Sequence, residues 1–401
     1  MRAVLAHKPD RIGFVMPRGF THDRSYASLR SQIEKNYDEV ELVSLPDRIF
    51  NESTVESSLL IARKIPNAKY NAETINVSCV TVTDNERSEF LKTGKIEGQQ
   101  SRRRVRSKTN DDLWFSSLWK IWESLKDNRC LSDVTTIHRG LEWNYSQSEA
   151  WSHKQKPGYL LGIHRSSNVL GQFIEGEPVY LDSRVKSQRD NAHKHDWDSS
   201  KVILNAVRAG RGPWKMRAVP DKTGYACSKQ FFGVWKKEDC PFDIYSLSAI
   251  LNSPIANAFV SERMTGRDIP MYILKSLPLP ENLDNESIRK KVIKYQEMGK
   301  ELGGIKHEEE LEALLKSIDA EILAAYDLPP QMERQLLDLF NDSKRPVQHQ
   351  FNNYFPSEMN TWMSLQDYLN GTYESFKGDW IKEVFPTMAF EQAQSIDHLL
   401  P

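Results

Sequence analysis

A short, nearly continuous apolar run from Ile12 to Met16, closed by Pro17 and Gly19, constrains the fold of this chain more than any other stretch. Such a run suits a strand buried on both faces of a parallel sheet, where no side needs to present polar groups to water. From Ser25 to Tyr37, the residues Tyr26, Leu29, Ile33 and Tyr37 recur at helical spacing with charge on the other face, which predicts an amphipathic helix. Val40 to Leu45 and Ser57 to Ala62 are two further Val-, Leu- and Ile-rich segments, separated by a polar loop around Asn51, Glu52 and Ser53. The order strand, helix, strand, loop, strand is the end of an open α/β sheet. Its last two strands are close enough in sequence to pair as an antiparallel hairpin.

The next residues, from about Pro66 to Asp111, are polar and carry Arg102, Arg103, Arg104, Arg106 and Lys108. They read as a linker or basic arm, either a solvated loop or a segment lying along phosphates. Asp112 to Leu125 bears Leu113, Trp114, Leu118, Trp119, Ile121 and Trp122, which fits a helix with a broad aromatic face. From Val134 to about Leu279 the signals are strands and turns, among them Tyr159-Leu-Leu-Gly-Ile163, Val179-Tyr-Leu181, Lys201-Val-Ile-Leu204 and Phe231-Phe-Gly-Val-Trp235, with one helix from about Ser246 to Arg263. Helices follow at Ile288 to Leu302, Glu308 to Ala325 and Gln331 to Phe340, the second stopped by Pro329 and Pro330. Tyr354, Phe355, Trp362, Tyr368 and Trp380 stand in a final stretch without periodicity. The expected organisation is a sheet domain at 1–66, a linker at 67–111, a β-rich domain at 112–283, a helical region at 284–345 and an unassigned tail at 346–401.

A length of 401 residues predicts two or three domains, and a net charge of −1 excludes a globally basic protein. Cys79, Cys130, Cys227 and Cys240 form no C-x-x-C pair, so free thiols in a reducing compartment are expected rather than a zinc ribbon or a disulfide scaffold. There is no apolar run of signal-peptide length and no window near the roughly 18 apolar residues of a membrane span, so a cytoplasmic location without membrane contact is expected. His193-Lys-His195 lies beside Asp190 and Asp196 but has no third spaced ligand, so no metal is expected. Paired acidic residues followed by Glu-x-Lys on a strand are not found, leaving nuclease chemistry unsupported.

Charge is concentrated locally instead. Between Arg184 and Lys237 there are thirteen lysines and arginines against Asp190, Asp196, Asp198 and Asp221. Such an excess is the electrostatic footprint of phosphate contact, or else a solvated basic face. The candidate DNA contacts are Arg184, Lys186, Arg208, Arg211, Trp214, Lys215, Arg217 and Lys229. Arg208, Arg211 and Arg217, near Gly210 and Gly212, can set guanidinium forks on phosphates or guanine edges. Trp214 either packs on a sugar or anchors its loop. The helix containing Asn252-Ser-Pro-Ile-Ala-Asn257 has core-like Leu247, Ile250, Leu251 and Phe259 and is expected to brace the sheet.

Arg11-Ile-Gly-Phe-Val-Met-Pro17, Leu45-Pro-Asp-Arg-Ile-Phe50 and Thr54-Val-Glu-Ser-Ser-Leu-Leu-Ile-Ala62 resemble the later sheet strands of the gamma-class N6-adenine DNA methyltransferases, the TaqI-type family. Lys201 to Arg217, Ile250 to Phe259 and Ile273-Leu-Lys-Ser-Leu-Pro-Leu-Pro280 look like the target-recognition domain of the same family. The resemblance implies an α/β fold: a partial Rossmann-like methyltransferase sheet, then a mixed β-rich target-recognition domain and a helical C-terminal region. It places the first segments as strands five, six and seven, with the seventh between the other two, and leaves the fifth with a bare edge. It also implies that Phe50, five residues before Val55, is the ring that stacks on a flipped adenine.

Amino-group methylation by that family needs a Gly-rich cofactor loop and an Asn-Pro-Pro-Tyr turn, and neither is found. Pro329-Pro330 follows Leu328, and Leu302-Gly-Gly304 lies between helices. The resemblance therefore implies a DNA-binding, partial catalytic chain of an adenine-specific methyltransferase from a restriction-modification or defence system, inactive alone. Double-stranded DNA is the expected ligand. S-adenosylmethionine enters only if a second polypeptide carrying the N-terminal half supplies its site. A non-enzymatic DNA-specificity subunit or a truncated remnant is the alternative.

Overall fold

The computed structural model describes residues 1–371 apart from 22, 46–48, 51–56, 66–73, 83–85, 95–99, 106–112, 166–168, 171–172, 175–176, 265, 301–306, 358 and 360–361. The chain forms two compact units, Met1–Trp122 and Glu123–Pro401.

In the first unit, α1 (Arg2–Ala6), α2 (Ala27–Asn36), α3 (Arg87–Thr93) and α4 (Trp119–Ser124, which runs across the boundary) accompany β1 (Arg11–Pro17), β2 (Glu39–Ser44), β3 (Ser57–Arg63), β4 (Thr74–Thr81) and β5 (Gln100–Val105). The strands form one sheet in the order β1-β3-β2-β4-β5. β3 is antiparallel to both β1 and β2, from Arg11↔Arg63 to Pro17↔Ser57 and from Glu39↔Arg63 to Ser44↔Ser58. β2 and β4 are parallel, and β4 and β5 antiparallel. The expected hairpin is thus present, with its second strand also paired to β1. Ile12, Val40, Leu42, Leu60, Ala62, Val77 and Cys79 fill one face with Leu29, Ile33 and Tyr37 from and just after α2. Arg30 ties that helix to the preceding turns by donating Nη1 to Phe20 O at 2.8 Å and Asp23 O at 3.0 Å.

Three expectations fail in this unit. β1 is not buried on both faces: it is an edge strand, and Val15 and neighbouring Ile61 are 57% and 46% exposed on the face away from the α2 core. The stretch expected to be a linker instead contributes β4 and β5 to the sheet, because Ile75, Val77 and Cys79 alternate with polar residues and bury one face of β4. Arg102, Arg103 and Arg104 lie on β5, in register with Val77, Asn76 and Ile75, while Arg106 and Lys108 fall outside the described residues. The aromatic segment is helical only from Trp119. Before it, Leu113 and Phe115 are buried in the sheet core, and Phe115 N donates to Cys79 Sγ at 3.4 Å.

The second unit contains α5 (Leu131–Val134), β6 (Thr135–Arg139), β7 (Trp151–Ser152), β8 (Tyr159–Ile163), β9 (Val169–Leu170), β10 (Phe173–Ile174), β11 (Val179–Asp182), β12 (Lys201–Asn205), β13 (Ala218–Asp221), β14 (Ala226–Cys227) and β15 (Phe231–Lys236). Helices follow: α6 (Ile244–Asn252), α7 (Pro254–Arg263), α8 (Met271–Lys275), α9 (Asn285–Lys300), α10 (Glu308–Ala324), α11 (Pro330–Asp338) and α12 (Leu365–Leu369). An antiparallel sheet β13-β12-β15-β6 packs Ile203, Val219 and Phe231 against Ile163, Val179 and Leu181 of a second sheet, β14-β8-β11-β7. Its other face takes α6, and α9 and α10 pack on α6 in turn. β12 therefore lies between two layers and is buried at every position.

The single helix expected from Ser246 to Arg263 is two. Ser253 ends α6 and caps α7, accepting from Ala256 N, while Pro254 takes the first turn, where its missing N–H costs nothing. Nor do the C-terminal helices form a separate region. Arg345, in the irregular segment after α11, is buried and donates to Asp319 of α10, to Tyr354 Oη at 3.2 Å and to Asn252 O at the end of α6 at 3.1 Å. Tyr354 Oη donates in turn to Asp319 at 2.7 Å. Because Arg345→Ala strands the Asp319 carboxylate in the interior, it is expected to destabilise the second unit by about 3–5 kcal/mol, and a paired Arg345→Met/Asp319→Leu variant to recover most of that loss. Urea unfolding midpoints of the three proteins check this.

A candidate nucleic-acid interface

The loop joining β12 to β13 carries five of the candidate contacts, and its shape is dictated by asparagines behind it. Asn257 Oδ1 accepts from both Lys215 N and Met216 N at 2.8 Å. Asn252 exchanges two 2.8 Å bonds with the backbone of Ala218. Asn205 accepts from Arg217 N at 2.5 Å and donates to Val207 O at 2.6 Å and Lys215 O at 2.9 Å. The Asn252 to Asn257 segment thus braces the loop, and it does so through backbone atoms.

Within this loop the candidates divide. Arg211 is exposed and Arg208 half-buried. Trp214 is only 2% exposed, with its ring centroid 4.2 Å from that of Phe340 and 4.3 Å from Arg345 Cζ, so it anchors the loop and is not available to a sugar. Lys215 also turns inward and donates Nζ to Arg211 O at 2.7 Å. Arg217 is half-buried, and burial lowers its guanidinium below its ordinary range. Lys201 from the same basic stretch is fully buried, paired to Asp221 at 2.8 Å. Trp214 and Lys215 are accordingly corrected from surface contacts to loop supports.

Arg208 and Lys229 come together at one end of the β13-β12-β15-β6 sheet with residues that the sequence did not single out. Arg208 N donates to Arg267 O at 2.9 Å, and Ala206 N to Gln230 O at 2.7 Å. Arg139, at the end of β6, donates Nε to Lys229 O at 2.7 Å and pairs with Asp268 at 2.8 Å. Lys229 and Arg189 both pair with Glu142, at 2.8 and 3.1 Å. The Lys229 hydrogen bond, reinforced by the positive charge of Arg189 and Arg139, holds the Glu142 carboxyl below its usual range despite partial burial. Five cations thus share this end with two carboxylates, Glu142 and Asp268.

Arg184 and Lys186 occupy a separate turn after β11, beside the turn that leads into β8. Arg184 forms a two-pronged bond to buried Asp182, Nε to Oδ1 at 2.8 Å and Nη2 to Oδ2 at 2.7 Å, while Tyr145 Oη donates to Oδ2 at 2.6 Å. Burial alone would raise the Asp182 carboxyl, but the bonds from Arg184 and Tyr145 outweigh it and hold the group well below the usual carboxylate range. Arg184 Cζ and Lys156 Nζ lie 5.5 and 5.4 Å from the centre of the Tyr159 ring. Gly158, at φ +77°, is required here, since a Cβ would meet the Arg184 side chain at 2.5 Å.

Phe50 belongs to the first unit and follows β2. It is 41% exposed, whereas Ile49 packs partly on Val43, Leu45, Val80 and Val82. Val55 lies outside the described residues. Among the described residues no group of three His, Cys, Asp or Glu side chains could hold a metal ion; His195 stacks on Trp235 at 5.4 Å and lies tilted against His138 at 4.1 Å. No described helix is long and apolar enough to cross a membrane, and all four cysteines are free.

No family model matches this sequence, and no curated protein does. Among solved structures the chain is similar to the type IIL restriction-modification enzyme MmeI in complex with DNA, at 8% identity and TM-score 0.44 over 93% of this chain and 51% of that one. It is also similar to the type IIG restriction endonuclease BpuSI, at 12% identity and TM-score 0.37 over 82% and 47%. A nuclease-deletion mutant of the type ISP restriction-modification enzyme LlaGI, in complex with a DNA substrate mimic, gives 11% identity and TM-score 0.43 over 72% and 29%. The chain spans about half or less of each of these proteins. At these values the likeness stops short of a shared family.

Two outcomes follow from the scaffold. Asn257→Ala leaves the amides of Lys215 and Met216 without their acceptor, so their hydrogen exchange is expected to accelerate at least about tenfold. Asp182 has a depressed folded-state pKa, so it contributes its full stability above about pH 4 and loses that contribution as the pH falls toward the folded value. Asp182→Asn is therefore expected to melt lower at pH 7 and to show a flatter decline below pH 4 than the parent, as thermal melts across pH 2–7 would record.

Proposed function

We propose that this chain is a DNA-recognition chain of a restriction-modification or related defence system, built on part of an N6-adenine methyltransferase. One observation carries the DNA half of this reading. When buried Lys215 and the buried Lys201–Asp221 pair are set aside, eleven exposed or half-buried cations between Arg184 and Lys237 still outnumber the three remaining carboxylates of that stretch, and Asp182 and Glu142 outside it pair with only three of them. A surplus that survives burial, carried on backbone fixed from behind, suits phosphate contacts that set register on a duplex. Solved neighbours whose names include DNA complexes agree in kind with this reading without carrying it.

The methyltransferase half rests on β1, β3 and β2. Their order, with the antiparallel strand in the middle, is the one the resemblance gives to strands five, seven and six. Phe50 stands exposed in the loop that would carry the base-stacking ring. The sheet departs from that pattern beyond β2, where β4 and β5 extend it. The residues present do not fit S-adenosylmethionine. Among the described residues, the four glycines with positive φ either follow the ends of helices, as Gly94 and Gly371 do, or turn between strands, as Gly158 and Gly224 do, and none opens a helix after a strand. In this reading the cofactor comes with a second polypeptide, which pairs with the free edge of β1 beside Val15. A non-enzymatic specificity subunit is the competing reading, favoured by the lack of a cofactor loop among the described residues.

Fluorescence anisotropy with a duplex of about 30 base pairs tests the first half. Log affinity should fall linearly with log salt, by about 0.9 for each phosphate contacted, and Lys186→Ala/Arg211→Ala should lower that slope by up to about 2. A flat salt response would sink DNA binding. For the second half, Phe50→Ala in a reconstituted methylating complex should reduce methyl transfer by about ten- to a hundredfold, the worth of one stacked base. Undiminished transfer would leave the specificity-subunit reading standing.

A further inference from the structure

The turn after β11 holds a side chain that the charge pattern does not explain. Val185 is 66% exposed, the most open of the large apolar residues described, and it sits between two cations, Arg184 and Lys186. An isolated exposed valine is unremarkable. This one is held out by a backbone with very little freedom. Arg184 is clamped to Asp182 by both its side chain and its own N–H, the latter at 3.0 Å from Oδ1. Ser187 N donates to Arg184 O at 2.9 Å and Gln188 N to Val185 O at 3.2 Å. Asn144 grips the far side, donating Nδ2 to Lys186 O at 3.0 Å and N to Ser187 O at 3.1 Å. Gln188 Nε2 and Trp143 Nε1 both donate to Asp182 O at 2.7 Å, fixing the end of β11 from which the turn departs. The side chains of Arg184, Ser187 and Gln188 are thus engaged inward, and Val185 is the apolar group the turn presents.

We propose that Val185 is a sequence-reading residue whose methyl groups meet the C5-methyl of a thymine in the major groove, with Lys186 and Lys156 on the adjoining phosphates. The assignment rests on the DNA-recognition reading above and adds to it the residue and base chemistry involved. An apolar side chain on a rigid support between cations suits this contact. Phosphate attraction brings the turn to the groove, and only the thymine methyl offers a base-edge partner that is apolar. A rigid turn also contributes specificity without paying for ordering at the moment of binding.

The test begins with selection from a random duplex library by the purified chain, followed by affinity measurements on the selected duplex with each thymine replaced in turn by uracil, which lacks only the methyl. At one position the parent protein is expected to lose about fivefold or more in affinity on that replacement, and Val185→Ala to bind the two duplexes equally. A merely structural role for Val185 would not move this ratio at a single base. With its side chain largely in water, Val185→Ala is expected to fold, and a thermal melt matching the parent would verify that. If the parent discriminates thymine from uracil and Val185→Ala does so equally, the assignment is overturned while DNA recognition stands. The same holds if the selected duplex shows no position sensitive to the methyl. Failure of the parent to bind any duplex would overturn both.

Discussion

The buried pair of Arg345 and Asp319 is the interaction on which the second unit depends. A guanidinium in the interior is tolerable only if its charge is met by acceptors, and here two prongs go to a carboxylate while Nη1 also reaches Tyr354 Oη and Nη2 the carbonyl of Asn252. These partners come from α10, from the end of α6 and from the segment after α11, so one side chain fixes three elements that are far apart in sequence. Trp214 and Phe351 close over its plane at 4.3 and 4.7 Å and keep water away. A helical tail that looks detachable is in this way part of the foundation of the β12–β13 loop.

From that foundation the asparagines carry order outward. Asn252 ends α6, whose own position is fixed by Arg345 and by β12 and β13 beneath it, and Asn257 lies on α7, which follows directly. Each amide matches the two-sided hydrogen-bonding need of a peptide group, so it can replace a missing strand neighbour for the loop. The exposed cations are therefore presented on a surface whose geometry is determined before any ligand arrives.

Much of the first unit was legible because its signals are local. The apolar runs of β1, β2 and β3 and the spacing of Leu29 and Ile33 in α2 announce themselves within a few residues. β4 was hidden because Thr74, Asn76 and Ser78 make its composition polar, although Ile75, Val77 and Cys79 keep the two-residue period that matters for burial. Leu113 and Phe115 misled in the opposite way, their apolar character hiding an alternation that runs into a sheet core. The candidate interface was legible as a surplus of charge but not as a place. Arg139 joins Lys229, and Arg267 joins Arg208, through pairings between residues far apart in sequence, which no local pattern encodes. Lys201 and Lys215 looked like surface cations because their partners, Asp221 and the carbonyl of Arg211, are specified only by the folded chain.

The asparagine brace has a consequence for how this protein can change over time. All of its hydrogen bonds to the β12–β13 loop end on peptide groups, so it holds the path of the chain and is indifferent to which side chains that path displays. Substitutions on the outer side of the loop, around Gly210 to Gly212, leave those bonds in place. A lineage carrying this scaffold can therefore sample new surface chemistry at little cost to folding, while Asn205, Asn252 and Asn257 remain the residues under constraint.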